Sequence, residues 1–144
     1  GNSLGTTPAL HVAAQRDVTG LILQNPPPLR QLILGDYGWW NLWLLAGPVA
    51  MSVPGSLDSI ANARGVTEPA VFLLADADGY VKPRYQQQVV AAYAGEKRTI
   101  ALHGAGHNDE VGPQATAELH EAMDWLLSQP APADATPSSA GHTE

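Results

Sequence analysis

The chain has 144 residues, 44% apolar and 15% charged, enough for one domain with one modest core. Fourteen acidic against seven basic residues give a net charge of -7 with no Lys/Arg cluster, which disfavours electrostatic capture of nucleic acid or of an anionic membrane. The lack of cysteine excludes disulfides, thiolate catalysis and cysteine-based metal sites, and no apolar run reaches the roughly 18 to 20 residues of a membrane span.

In chain order, Gly1-Asn2-Ser3-Leu4-Gly5 comes first, with no strand-like segment before it. Thr6, Thr7 and Pro8 then start a helix that continues through Ala9, Leu10, Val12, Ala13 and Ala14 at helical spacing. Val18 to Leu23 is a short apolar run bounded by Asp17 and by Asn25-Pro26-Pro27-Pro28, which reads as a buried parallel strand. Val71 to Leu74 and Arg98 to Leu102 read as two more strands. Between them Arg84 to Ala94 places Tyr85, Val89, Ala92 and Tyr93 on one helical face.

A last helix is expected over Gln114 to Leu127, burying Ala117, Leu119, Met123, Leu126 and Leu127. Residues 129–144, rich in Pro, Ala and Ser and without large apolar side chains, read as a disordered tail. Leu29 to Val66, with its aromatic block Tyr37-Gly38-Trp39-Trp40-Asn41-Leu42-Trp43, is too long for a one-helix crossover and reads as an inserted pair of helices, a lid or cap. The alternation is that of an α/β protein with a parallel sheet.

Three polar residues fall where strand-like segments end or turn into helices: Ser3, Asp78 and His107. Ligands in an open α/β sheet bind at the carboxyl ends of its strands, so these positions suit reacting groups. The glycines around Ser3 allow backbone and helix to approach closely about a strained serine. Asp78 lies in an Asp-x-x-Val-x-Pro context past the second strand and can orient an imidazole, with Asp76 as its direct competitor. His107 follows the third strand in Gly104-Ala105-Gly106-His107, where two glycines permit a tight loop that returns the ring to the sheet's edge.

Metal readings fail on spacing. His103-x-x-x-His107 lacks the helix and glutamate of a zinc site, and Asp76-x-Asp78-Gly79 lacks the sixth-position glycine and twelfth-position glutamate of an EF-hand loop.

The order Ser, Asp, His and these motifs resemble the carboxyl-terminal half of an α/β-hydrolase-fold serine hydrolase over residues 1–128. The Gly-His-Asn-Asp sequence at 106–109 is similar to that of a subset of depalmitoylase-like, esterase and prolyl-oligopeptidase-like enzymes. The resemblance implies about three strands of the family's sheet with flanking helices and a lid at 29–66. It implies Ser3 as nucleophile, His107 as general base and then acid, Asp78 as orienting carboxylate and the Leu4 N–H as one oxyanion donor. It implies no metal or organic cofactor.

The expected partners are a small-molecule or acyl substrate and a missing N-terminal half that supplies the second oxyanion donor. Trp39, Trp40 and Trp43 are candidates for an acyl pocket or for packing between lid and domain. The rival expectation is a non-catalytic fragment or interaction module of the same ancestry. A leader before Gly1 would be invisible, so location stays open, with the cytoplasm mildly preferred.

Overall fold

The computed structural model describes residues 1–37 and 43–130. Three strands, β1 (Leu21–Gln24), β2 (Ala70–Ala75) and β3 (Lys97–Leu102), form a parallel sheet in the order β1-β2-β3. Leu21 pairs with Ala70 and Leu23 with Phe72, while Leu73 pairs with Ile100 and Ala75 with Leu102. The α/β architecture expected from the alternating segments is present. Among the described residues six α-helices accompany the strands: α1 (Thr6–Ala13), α2 (Leu29–Tyr37), α3 (Trp43–Met51), α4 (Ser59–Ala63), α5 (Pro83–Ala92) and α6 (Pro113–Ser128).

Side chains alternate across a strand, and the central strand supplies both faces with apolar groups. Ala70 and Phe72 of β2 join Leu21 and Leu23 of β1 against Leu10 of α1, Ala63 of α4 and Val89 of α5. Val71, Leu73 and Ala75 join Ile100 and Leu102 of β3 against α6. The unbroken AVFLLA run of β2 is thus the seam between two cores, which is why it lacks a polar alternation.

Local differences from the sequence reading have physical causes. The strand expected from Val18 begins only at Leu21, where pairing with β2 starts at Ala70, just after Pro69, which has no N–H for a ladder; at Gly20 the chain passes α6. A Cβ there would sit 2.8 Å from Leu126 side-chain atoms. On α6 the buried residues are Ala115, Ala122 and Leu126, with Leu119 partly buried, a stripe with steps of four, three and four residues. Ala117 is exposed and Leu127 is 68% exposed, and Met123 is also on the outer side. The small alanines let α6 sit close to the sheet. The larger Met123 and Leu127 point away from it.

Between β1 and β2 the described residues form α2, α3, a 3-10 turn (Gly55–Leu57) and α4, one helix more than the expected pair. α4 belongs to the core layer: Ser59 and Ala63 are buried, and the Ser59 hydroxyl donates to Pro27 O at 2.8 Å. Arg30 of α2 holds Asp58, the N-cap of α4, at 2.9 Å and donates to Val53 O at 2.8 Å. Trp39, Trp40 and the side chain of Trp43 lie outside the described residues, as do tail residues 131–144.

Candidate active site

Gly1 and Asn2 take the place of a strand end beside β1. Gly1 N donates to Ile22 O at 2.8 Å, Gln24 N donates to Gly1 O at 2.9 Å, and Asn2 bridges Gln24 in parallel. The chain then turns sharply through Ser3–Gly5, a 3-10 turn, directly into α1. Ser3 sits at φ +49°, a left-handed conformation that is costly for a residue with a Cβ.

Thr6 Oγ1 donates to Ser3 O at 2.7 Å, fixing the turn from the helix side. A Cβ on Gly1 would lie 2.6 Å from Gly5 O, so the first glycine is required by the tightness of the bend. The sequence motif therefore acquires a short strand stub that was not visible in it.

Asp78 follows β2 in the loop before α5, and its side chain is fully buried. Its Oδ1 accepts from Tyr80 N and Val81 N, both at 2.8 Å. Such backbone bonds hold a carboxylate in one orientation and compensate for its loss of water. Asp78 Oδ2 lies 2.6 Å from His107 Nδ1, and His107 Nε2 lies 2.8 Å from Ser3 Oγ. The three residues named from sequence thus form one hydrogen-bonded chain, drawn from the ends of the Gly1–Asn2 stub, β2 and β3, with β1 between the first two.

Asp76 is engaged elsewhere. Its Oδ2 meets His103 Nδ1 at 3.1 Å and its Oδ1 accepts from Gly104 N at 2.7 Å. The His103 hydrogen bond, followed by the Gly104 N–H, lowers its carboxyl below the usual value. Asp76 thus braces the start of the loop that carries His107. Gly104 supplies the turn there at φ +68°, and Asp109 Oδ2 accepts from Gly106 N at 2.7 Å. The Tyr80 ring lies 5.4 Å from the imidazole at a tilt of 58°.

Sequence reasoning missed two residues. Asn25, fully buried at φ +49°, accepts from Ala75 N through Oδ1 at 2.9 Å and donates through Nδ2 to His107 O at 3.3 Å. It ties the ends of β1 and β2 to the histidine loop. Its signal was an Asn at a strand end, a residue type tolerant of positive φ. Gln86 of α5 is fully buried, and its Nε2 faces Val81 O at 2.7 Å, Ala75 O at 3.2 Å and Asp78 Oδ2 at 3.3 Å. Its signal was its place on the helical face of Val89 and Tyr93, three and seven residues later.

A cleft of about 510 Å³ opens over Ser3 and His107, walled by Leu4, Pro27, Leu29, Leu32 and Tyr80. Asp36 of α2 reaches its rim, paired with Lys82 at 2.9 Å. Among the described residues no group of three or more His, Cys, Asp or Glu side chains could hold a metal ion, and no described helix is long and apolar enough to cross a membrane.

No family model matches the chain. Two uncharacterized proteins of Mycobacterium tuberculosis, from strains CDC 1551 and H37Rv, are each 29% identical to it over 110 residues, 76% of this chain. The chain spans 37% of the length of those curated relatives. Acetyl xylan esterase 1 of Thermoanaerobacterium sp. superposes with a TM-score of 0.66 at 16% identity, over 88% of this chain and 43% of that one.

The acetyl xylan esterase of Paenibacillus sp. R4 gives 0.64 at 14% identity with the same coverage. An α/β hydrolase of Vibrio vulnificus gives 0.54 at 20% identity, over 88% and 47%. The three parallel strands and their flanking helices have the topology of the α/β-hydrolase fold.

Proposed function

We propose that this stretch of α/β-hydrolase fold carries the catalytic residues of a serine hydrolase that cleaves an ester, thioester or amide through a covalent acyl-enzyme. The observation that carries the reading is the continuous path from Ser3 Oγ to His107 Nε2 at 2.8 Å and from His107 Nδ1 to Asp78 Oδ2 at 2.6 Å. In this reading His107 takes the hydroxyl proton as Ser3 attacks the carbonyl carbon. Asp78 stabilises the imidazolium, which then protonates the leaving group. Water attacks the acyl-enzyme in the second half-reaction, with His107 acting again as base.

The Leu4 N–H is the proposed oxyanion donor within the chain. N–H groups in the first turn of a helix have no intrahelical acceptor, and Leu4 follows Ser3 directly in such a turn. The second donor comes from a further segment of the intact protein. α2 acts as a lid over the site, and the support for this is that its Leu29 and Leu32 wall the cleft over Ser3.

Fluorophosphonate labelling of the intact protein tests the assignment. Stoichiometric modification of Ser3 that is abolished by Ser3→Ala, and slowed about 1,000-fold or more by His107→Ala, is the expected result. Undiminished labelling of Ser3→Ala would reject the nucleophile.

A further inference from the structure

We propose that Gln86 is a positioning residue that clamps the loop of the catalytic acid and holds the Asp78 carboxylate toward His107, a role that rests on the serine-hydrolase reading. The loop leaves β2 at Ala75, carries Asp78 and enters α5 after Val81 and Lys82. One amide spans it from within the protein: Gln86 Nε2 faces Ala75 O on one side and Val81 O on the other, and touches Asp78 Oδ2 between them. All three neighbours are acceptors, so the amide nitrogen is the end that faces them. The group has two hydrogens. The short bond to Val81 O takes one, and Ala75 O and Asp78 Oδ2 share the other.

The carboxylate's four partners divide its two oxygens. Oδ1 is held by the N–H groups of Tyr80 and Val81, and Oδ2 receives His107 Nδ1 and Gln86 Nε2. Gln86 is thus the one side chain other than His107 that contacts the acid among these bonds. It stabilises the ionised form at the oxygen that also meets the imidazole.

The other end of the same amide points to a role beyond packing. Oε1 is buried and has no hydrogen-bond partner among the described residues. An unpartnered buried acceptor is destabilising, and an apolar side chain of similar length would avoid it. The donor end offsets that penalty by serving three oxygens at a place where both Gln86 and the Asp78 side chain are buried.

The test uses Gln86→Met, which keeps length and removes the donor, and Gln86→Glu, which keeps shape and sets a second carboxylate against Asp78. On the intact protein, kcat and KM for a chromogenic ester are measured per active site, with thermal unfolding. The low-field proton resonance of the short Asp78–His107 hydrogen bond is recorded alongside. Gln86→Met is expected to lower kcat about 10-fold with KM within about twofold, and to move or broaden the low-field proton. Gln86→Glu is expected to lower kcat further.

A folded Gln86→Met whose kcat and low-field proton match the wild type overturns the role. If Gln86→Met does not fold, wild-type values in Gln86→Glu overturn it instead. The hydrolase reading fails separately, by absence of turnover and of Ser3 labelling in the wild type. The low-field proton needs only Asp78 and His107, so it still reports what Gln86 does.

Discussion

At the residue scale, the candidate site depends on two side chains held at positive φ, Ser3 and Asn25, both at +49°. They sit on adjacent strand ends, where the backbone must turn sharply at the carboxyl edge of the sheet. Asn25 offsets its strain with two side-chain bonds, to Ala75 N and to His107 O. Asn25→Gly keeps the backbone conformation and removes those bonds, leaving the Ala75 N–H buried, at a cost of about 1–3 kcal/mol. Asn25→Ala removes the same bonds but keeps a Cβ in the left-handed region, and should be less stable than Asn25→Gly by about 1 kcal/mol. Urea unfolding of the two variants checks the order; equal stabilities would mean that the φ of +49° carries no strain.

Ser3, Asp78 and His107 were legible in the sequence because each belongs to a motif whose residue types are dictated by chemistry or by a tight turn. Asn25 and Gln86 were not, because a buried polar residue has no periodic signature. Its role depends on which carbonyls and N–H groups the fold delivers to it.

At the element scale, strands were more legible than helix faces. β2 and β3 lie within one residue of where apolar runs and β-branched residues place them. The face of α6 was not readable in the same way. Its core side combines Ala115 and Ala122 with Leu126 and the partly buried Leu119, while Met123 and Leu127, larger than the alanines, lie outside. Hydrophobicity alone rotates such a stripe; close approach to the sheet restores it.

The crossings between elements are equally local in their demands. Gly95, in the turn before β3, packs where a Cβ would strike the carbonyl oxygens of Thr67 and Glu68, whereas Gly112 at the N-cap of α6 has open space around it. Gly95→Ala should therefore destabilise by about 1–3 kcal/mol, because backbone must move. Gly112→Ala should cost less, about 0.5–1 kcal/mol, the preference of an N-cap for Gly over Ala. Denaturant midpoints measure both, and a neutral Gly95→Ala would contradict the close approach seen here.

At the scale of the whole molecule, one strand supports two cores, so damage to either face is felt by both. Phe72 is fully buried, centred between α1, α4 and α5, and its ring meets Tyr93 edge-on at 5.3 Å. Burial raises the Tyr93 phenol's pKa well above its usual value, and its hydroxyl donates to Glu68 O at 2.7 Å. Phe72→Ala should cost about 3–5 kcal/mol in chemical unfolding while leaving Ser3 labelling per folded molecule unchanged, since no site residue leans on that ring. A fall in labelling of the folded fraction would show that the two faces are coupled to the site.

The sequence by itself determined the class of fold and placed Ser3, His107 and the neighbouring pair Asp76 and Asp78 where strands end. Apolar periodicity is a local property, and glycine and proline punctuation mark turns without reference to distant partners. Only the tertiary structure decided that Asp78 rather than Asp76 meets His107, that Gly1 and Asn2 pair with β1, and that Asn25 and Gln86 brace the loops between. Those outcomes depend on hydrogen bonds between residues from 5 to 82 positions apart. Their geometry exists only once the parallel strands are in register.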